Sequence, residues 1–222
     1  MIGWASLSMV KNQHRHVLNT TSFTGMESVR ESRYNLGILT RSVSSTLENA
    51  VETLMQTSFK GSDRVLQQQQ NWYEIITIMI GAESSSNLIL LEPLVNDIVM
   101  CCETFTQIAK ANTIRLSLKV VNHDACRKFH IDGYTYRLLC TYYGPGTEWV
   151  YNDNVNRKYL GEGENEDIIK DGMAIQRIDT YDIAILKGEL PHQRNGKGIV
   201  HRSPPIQHTT DKRLVLRIDY TS

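Results

Sequence analysis

The sequence predicts an α+β protein in which a helical layer is followed by a β-domain of sandwich or jelly-roll type. Apolar residues recur at three- and four-residue spacing as far as Asn112, and beyond it they alternate with polar ones, so the period shifts from helix to strand. Turn-forming clusters then cut the second half into short segments, as a many-stranded β-domain requires. At 222 residues the chain is long enough for one such domain and its helices, and too short for a multi-domain array. With 41% apolar and 22% charged residues, the composition is that of a folded globular protein.

Residues 1–43 are expected to form a flexible tail. Met1 to Val10 is mildly apolar but has neither a preceding positive charge nor a small-residue cleavage site, which argues against a secretory signal. No acidic residue precedes Glu27, while Lys11, Arg15 and many Ser and Thr do, so an organellar transit segment is the alternative. Residues 44–112 form the helical region. Leu47, Ala50, Val51, Leu54 and Met55 define one helical face over Ser44 to Gln56, with Ser45 or Thr46 as cap. Gly61 to Gln70, with its four consecutive glutamines, reads as a solvated helix face, and Trp72 to Ile80 is nearly all apolar. A second stripe, Leu91, Leu94, Val95, Ile98, Val99, Cys102, Phe105 and Ile108, predicts a helix from about Asn87 to Ala111.

Residues 113–222 form the β-domain. Ile114 to Val120 alternates strictly, and further strands are expected at Lys128 to Asp132, Tyr136 to Tyr143, Ala174 to Ile178, Asp182 to Leu186, Gly198 to Arg202 and Arg213 to Tyr220. Gly144-Pro-Gly146, Gly161-Glu-Gly163, Asp171-Gly172, Asn195-Gly196 and Pro204-Pro205 separate them.

Several function classes are excluded early. Lys plus Arg equals Asp plus Glu at 24 each, and neither half carries a basic excess, so nucleic acid is not an expected partner. No apolar run reaches the roughly 18 residues that span a bilayer, so no membrane partner is expected either. The four cysteines show no two-residue spacing, and adjacent Cys101 and Cys102 read as buried hydrophobes in a reducing compartment, which predicts an intracellular, cytoplasmic protein. There is no Gly-x-Ser-x-Gly elbow, no phosphate-binding loop and no dinucleotide fingerprint.

The chemistry-bearing residues lie in the β-domain. His130 and Asp132 flank Ile131 and would face one side of a strand, and His201 would bring a third ligand from another strand. Two histidines and a carboxylate with open positions match a non-haem Fe(II) site. Arg213, Val215, Arg217 and Asp219 share one face of the last strand, and a face with two arginines suits a carboxylate partner. Cys126, four residues before His130, would favour Zn over Fe(II). His192 could replace or supplement His201; Glu148 and Trp149, just after a turn, are possible additional site residues, although Glu148 reads by default as a solvent-facing carboxylate.

Four motifs occurring in order, Cys126 to Asp132, Arg137 to Trp149, Leu186 to Glu189 and Val200 to Pro205, resemble the family catalogued as domain of unknown function 1826. Members of that family are associated with zinc-responsive gene neighbourhoods, which implies, as an alternative to catalysis, a non-catalytic metal-binding protein linked to zinc homeostasis. A third reading is a β-fold interaction module without metal. More distantly, His130-x-Asp132, the strand ending in Tyr142-Tyr143, the distal His201 and Arg213 resemble 2-oxoglutarate-dependent oxygenases of the prolyl-hydroxylase type. That resemblance implies a double-stranded β-helix (jelly roll, cupin-like) over 113–222. It further implies His130, Asp132 and His201 as metal ligands, and Fe(II) and 2-oxoglutarate as cofactors. Arg213, or Arg217 in its place, would partner the co-substrate's distal carboxylate, and Tyr143 would donate a hydroxyl to it. Trp149, Tyr134 and Tyr136 are the candidate aromatic walls.

Overall fold

The structure, a computed structural model, describes residues 15–123, 126–190, 196–207, 209 and 211–220. It is α+β. A seven-stranded sheet runs in the order β1-β2-β8-β5-β10-β4-β3, and a three-stranded sheet in the order β7-β6-β9. The strands are β1 (Val17–Thr20), β2 (Leu36–Leu39), β3 (Gly61–Gln67), β4 (Thr113–Val121) and β5 (Tyr136–Tyr143), then β6 (Glu148–Val150), β7 (Gln176–Arg177), β8 (Ile183–Lys187), β9 (Val200–Arg202) and β10 (Arg213–Tyr220). Three longer helices pack on the large sheet: α1 (Ser45–Gln56), α2 (Trp72–Met79) and α3 (Ser85–Ala109).

Helix α1 starts where Ser44 Oγ accepts the Leu47 N–H, and it buries the predicted face, Leu47, Ala50, Val51 and Leu54. Helix α3 is capped by Ser84 and ends at Lys110 in the left-handed conformation, φ 52°. Its stripe from Leu91 to Ile108 joins the outward-facing residues of the sheet, including Leu138, Cys140, Tyr142, Ile183, Ile185, Leu214, Leu216 and Ile218, in one core. The opposite face of the sheet packs on the small one, with Leu36, Ile38, Leu139, Ala184 and Leu186 meeting Trp149, Ile178 and Ile199.

Four expectations are corrected. Residues 17–39, expected within a flexible tail, hold β1 and β2, which pair in parallel and join the large sheet through β8. Leu36 to Leu39 is buried throughout, a run too short to register against its polar surroundings. Gly61 to Gln67, read as a solvated helix face, is the edge strand β3, paired antiparallel with β4. Being at an edge, it buries only Leu66 and shows no apolar alternation. Lys128 to Asp132 is not a strand: His130 makes an isolated bridge to His201, while the Phe129 N–H is taken by Asn165 Oδ1. Glu148, read as solvent-facing, is buried in β6 between Arg177 at 2.9 Å and Arg202 at 2.8 Å. No helix among the described residues is long and apolar enough to cross a membrane.

One polar group is buried between helix and sheet. Asp97 of α3 receives both Nη groups of Arg41, at 2.5 and 2.9 Å, and the Tyr142 hydroxyl at 2.6 Å. Asp97→Ala would leave the Arg41 charge buried without its carboxylate and is expected to cost about 3 kcal/mol. Tyr142→Phe, which leaves the ion pair intact, should cost about 1 kcal/mol. Urea denaturation of both variants measures the difference, and equal losses would contradict this account.

Candidate metal centre

The centre is assembled from three segments. His130 and His201 are joined by two backbone hydrogen bonds of 3.0 Å, each N–H donating to the other's carbonyl, which sets their rings 4.5 Å apart. Asp132 follows two residues after His130, and its carbonyl accepts the Glu189 N–H at 2.8 Å, which fixes the loop. One ligand atom from each of His130, Asp132 and His201 lies within 4.8 Å of the others, the one such cluster among the described residues.

The hydrogen bonds decide which atoms are available. His130 Nδ1 lies 2.9 Å from the Lys128 carbonyl and His201 Nδ1 lies 3.3 Å from the Ile199 carbonyl. A carbonyl only accepts, so both Nδ1 atoms carry the proton and both Nε2 lone pairs are free in the neutral rings. His130 Nε2 is 3.7 Å from Asp132 Oδ1, and His201 Nε2 is 3.3 Å from Asp132 Oδ2. Asp132 Oδ2 is buried and makes no hydrogen bond. Two lone pairs facing a carboxylate repel one another unless a proton or a cation stands between them. This donor set, with backbone-anchored imidazoles, fits a divalent metal.

Arg137 is the residue that sequence reasoning missed. Its Nη1 donates to Asp132 Oδ1 at 2.5 Å and its Nε to Asp219 Oδ1 at 2.6 Å, so one guanidinium ties two buried carboxylates. It also stacks on Tyr134, 4.9 Å from the ring centroid. The available signal was register: Arg137 lies opposite Asp219 across β5 and β10.

Arg213 is placed differently. It is 3% exposed, and its Nη2 donates to the hydroxyls of Thr141 at 3.2 Å and Thr147 at 3.1 Å. Its Nε is buried without a partner, and among the described residues no carboxylate lies within 4 Å of the guanidinium. Burial, helped by the like charge of Arg177, pulls its pKa down to about 10. Arg217, by contrast, has Asp219 Oδ2 at 3.1 Å. The hydroxyls on Arg213 are not that of Tyr143, which is 42% exposed and lines a separate cavity with Glu52, Met55 and Lys212. Trp149 is buried beside His201 across β6 and β9, with its Nε1 unpartnered. Tyr136 lies under the Lys187 ammonium, 5.8 Å away. Cys126 is exposed and outside the three-residue cluster, and His192 lies outside the described residues.

Five buried polar atoms on or near the inner faces of the sheets make no hydrogen bond: Asp132 Oδ2, Arg213 Nε and Trp149 Nε1, and the ion-paired Arg217 Nε and Asp219 Oδ2. Buried groups in folded proteins are almost always paired, so these atoms call for a partner from water, an ion or a ligand.

Comparison with known proteins gives a family and a fold. The sequence profile of the family described as "Protein of unknown function (DUF1826)" matches residues 20–219. No curated protein matches the chain. Among solved structures, the dioxygenase for auxin oxidation 1 from Arabidopsis thaliana, in complex with 2-oxoglutarate, is similar at TM-score 0.50 and 11% identity, over 93% of this chain and 92% of that one. A Pseudomonas putida prolyl-4-hydroxylase gives TM-score 0.45 and 7% identity, over 90% of this chain and 98% of that one. A bsmA homologue from Methylobium petroleophilum gives 0.45 and 12%, over 95% and 97%. The first of these shows a shared fold, with a large sheet in an α+β arrangement.

The cluster has a pH signature of its own. Burial lowers the His130 pKa, but the Asp132 carboxylate and the Lys128 carbonyl outweigh it and raise it above the ordinary histidine value. The pairing thus stabilises metal-free protein fully below the unfolded histidine value of about 6.5 and is lost as pH rises through the folded value. Burial opposes ionisation of Asp132, yet His130, His201 and Arg137 hold it well below the usual carboxylate range, so its contribution is lost only in strong acid. Urea midpoints of metal-free protein are expected to fall as the pH rises above about 6.5. In Asp132→Asn this slope should flatten, and an unchanged slope would refute the pairing.

Proposed function

The chain belongs to the DUF1826 family, and from that premise we propose that it is an Fe(II)- and 2-oxoglutarate-dependent oxygenase built on a double-stranded β-helix. His130, Asp132 and His201 are its metal ligands, and Arg213 is the partner of the co-substrate's distal carboxylate. The observation that carries this reading is the pairing of an open three-donor cluster with one buried guanidinium that lacks a carboxylate. A buried charge without a counter-ion is costly, and a carboxylate-bearing ligand removes that cost. A zinc-handling role is less well supported, because Cys126 stands outside the cluster and a closed zinc site leaves Arg213 unexplained.

When bound, the metal and its keto acid supply the oxidising chemistry. The chain supplies position. Backbone carbonyls fix the two imidazoles with Nε2 inward, and Arg137 occupies one oxygen of Asp132 so that the other is the free donor. Thr141 and Thr147 hold the Arg213 guanidinium from one side, leaving Nε for an incoming carboxylate. Trp149 and the apolar residues around it keep water from the space between the sheets. Gly146 is required in this wall because a Cβ there would collide with the Ile178 carbonyl.

Anaerobic titration of metal-free protein with Fe(II) and then 2-oxoglutarate is expected to give the charge-transfer band of a chelated keto acid, absent in His130→Ala. Tight zinc binding with no such band would replace this reading with metal handling, and the absence of any metal binding would remove the site. Arg213→Met is expected to abolish 2-oxoglutarate binding while raising ligand-free stability by about 1 kcal/mol, since an unpaired buried charge is gone. A destabilised variant would show that the hydrogen bonds to Thr141 and Thr147 outweigh the burial of the charge. Arg137→Met should weaken metal binding about 10- to 100-fold in a chelator competition, the usual effect of losing a ligand-orienting partner.

A further inference from the structure

Beside the metal ligands lies a cavity of 430 Å³, bordered by His130 and lined by Ile131, Gly133, Arg157, Leu160 and Glu189 among others. The His130 side chain is 33% exposed, so the cavity reaches the edge of the cluster, whereas His201 and Asp132 are closed off at 5% and 8%. Arg157 is fastened at one end only. Its Nη2 donates to Asn152 Oδ1 at 2.8 Å and to the Gly198 carbonyl at 2.9 Å, while its Nη1 is buried without a hydrogen-bond partner. Glu189 Oε1 is 4.0 Å from Nη1, beyond hydrogen-bond reach, and is itself taken by the Gly198 N–H at 2.6 Å.

The cavity therefore presents an unsatisfied donor beside a carboxylate, with charges that cancel. An anionic ligand would meet Glu189 and a cationic one Arg157. An uncharged group carrying an acceptor and a donor side by side satisfies both. The remaining lining is apolar or bare: Ile131 and Leu160 offer side chains, and a Cβ built at Gly133 or Gly161 would meet nothing within 4 Å. We propose that this cavity binds the primary substrate, a small uncharged molecule with an apolar body and a carboxamide-type edge. Its carbonyl accepts from Arg157 Nη1 and its N–H donates to Glu189. The assignment as substrate rests on the oxygenase reading, whereas the binding chemistry stands on the cavity alone.

The test uses full-length, metal-free protein near neutral pH, titrated with hexanamide, hexanoate and hexylamine and followed by ¹H–¹⁵N NMR. Hexanamide is expected to shift the amides of Gly133, Leu160 and Gly196 and to bind about tenfold more tightly than either charged isostere. Arg157→Met and, separately, Glu189→Gln should each weaken hexanamide about tenfold. Because Arg157 also holds Gly198, Arg157→Lys serves as a second variant that keeps the charge and loses the fork. The proposal is overturned if a charged isostere binds as tightly as hexanamide, if the cavity amides do not move, or if the variants bind as the parent does. No metal is needed for this measurement. Hexanamide binding without a charge-transfer band would therefore sink the oxygenase reading alone, and a band without hexanamide binding would sink the cavity assignment alone.

Discussion

The site depends on how one buried carboxylate is satisfied. Asp132 is 8% exposed and has three neighbours that compete for two oxygens: both imidazoles and the Arg137 guanidinium. Arg137 settles the competition by taking Oδ1, and it can do so because its other edge is held by Asp219, which is wholly buried. Asp132 and Asp219 together are balanced by Arg137 and Arg217. Oδ2 is then left facing His201 Nε2 at 3.3 Å, while His130 Nε2 stands 3.7 Å from Oδ1.

The position of that carboxylate is inherited from the middle of the sheet. Strands β5 and β10 are neighbours at its centre, and β5 serves both faces by alternation. Leu138, Cys140 and Tyr142 face the helices, with Tyr142 bonded to Asp97 of α3; Arg137, Leu139 and Thr141 face the small sheet. Packing of one face against a 25-residue helix thus fixes the height of the guanidinium and hydroxyl on the other. The histidine segment has no such strand beneath it. It is held by one reciprocal bridge, by the Glu189 N–H on the Asp132 carbonyl, and by Asn165, whose side chain takes the Phe129 N–H and donates to the Arg127 carbonyl.

What the sequence made legible follows from this division. Helices α1 and α3 and strands β4 and β10 were readable because each buries a stripe, and a stripe leaves a period, while β5 and β8, buried on both faces, were readable as apolar runs bounded by turns. Strand β3 buries only Leu66 and left none. Strand β2 is a four-residue buried run in a polar stretch, and β1 pairs only with it. The grouping of His130, Asp132 and His201 could be read because a candidate ligand set is a local pattern plus one distant residue. Arg137 could not be singled out, since an arginine in a strand is ordinary until its register with Asp219 is known. Arg157 and Glu189 are farther still from any sequence signal: their meeting depends on a turn, Arg157–Tyr159, closing over the Gly198 backbone.

The two arginines on the inner face of β10 separate what a metal site alone would explain from what it would not. Arg217 belongs to the balanced group around Asp132 and Asp219, so its presence follows from the cluster itself. Arg213, four residues earlier, is outside that balance and faces two neutral hydroxyls in an enclosed setting. Its nearest carboxylate by charge effect, Glu148, is already committed to Arg177 and Arg202. A closed structural metal centre would gain nothing from Arg213 and would bear the burial of its charge. On the proposed reading, a centre that admits a small molecule through its free coordination positions gains an anchor at the molecule's far end, which accounts for the open cluster and the lone guanidinium together.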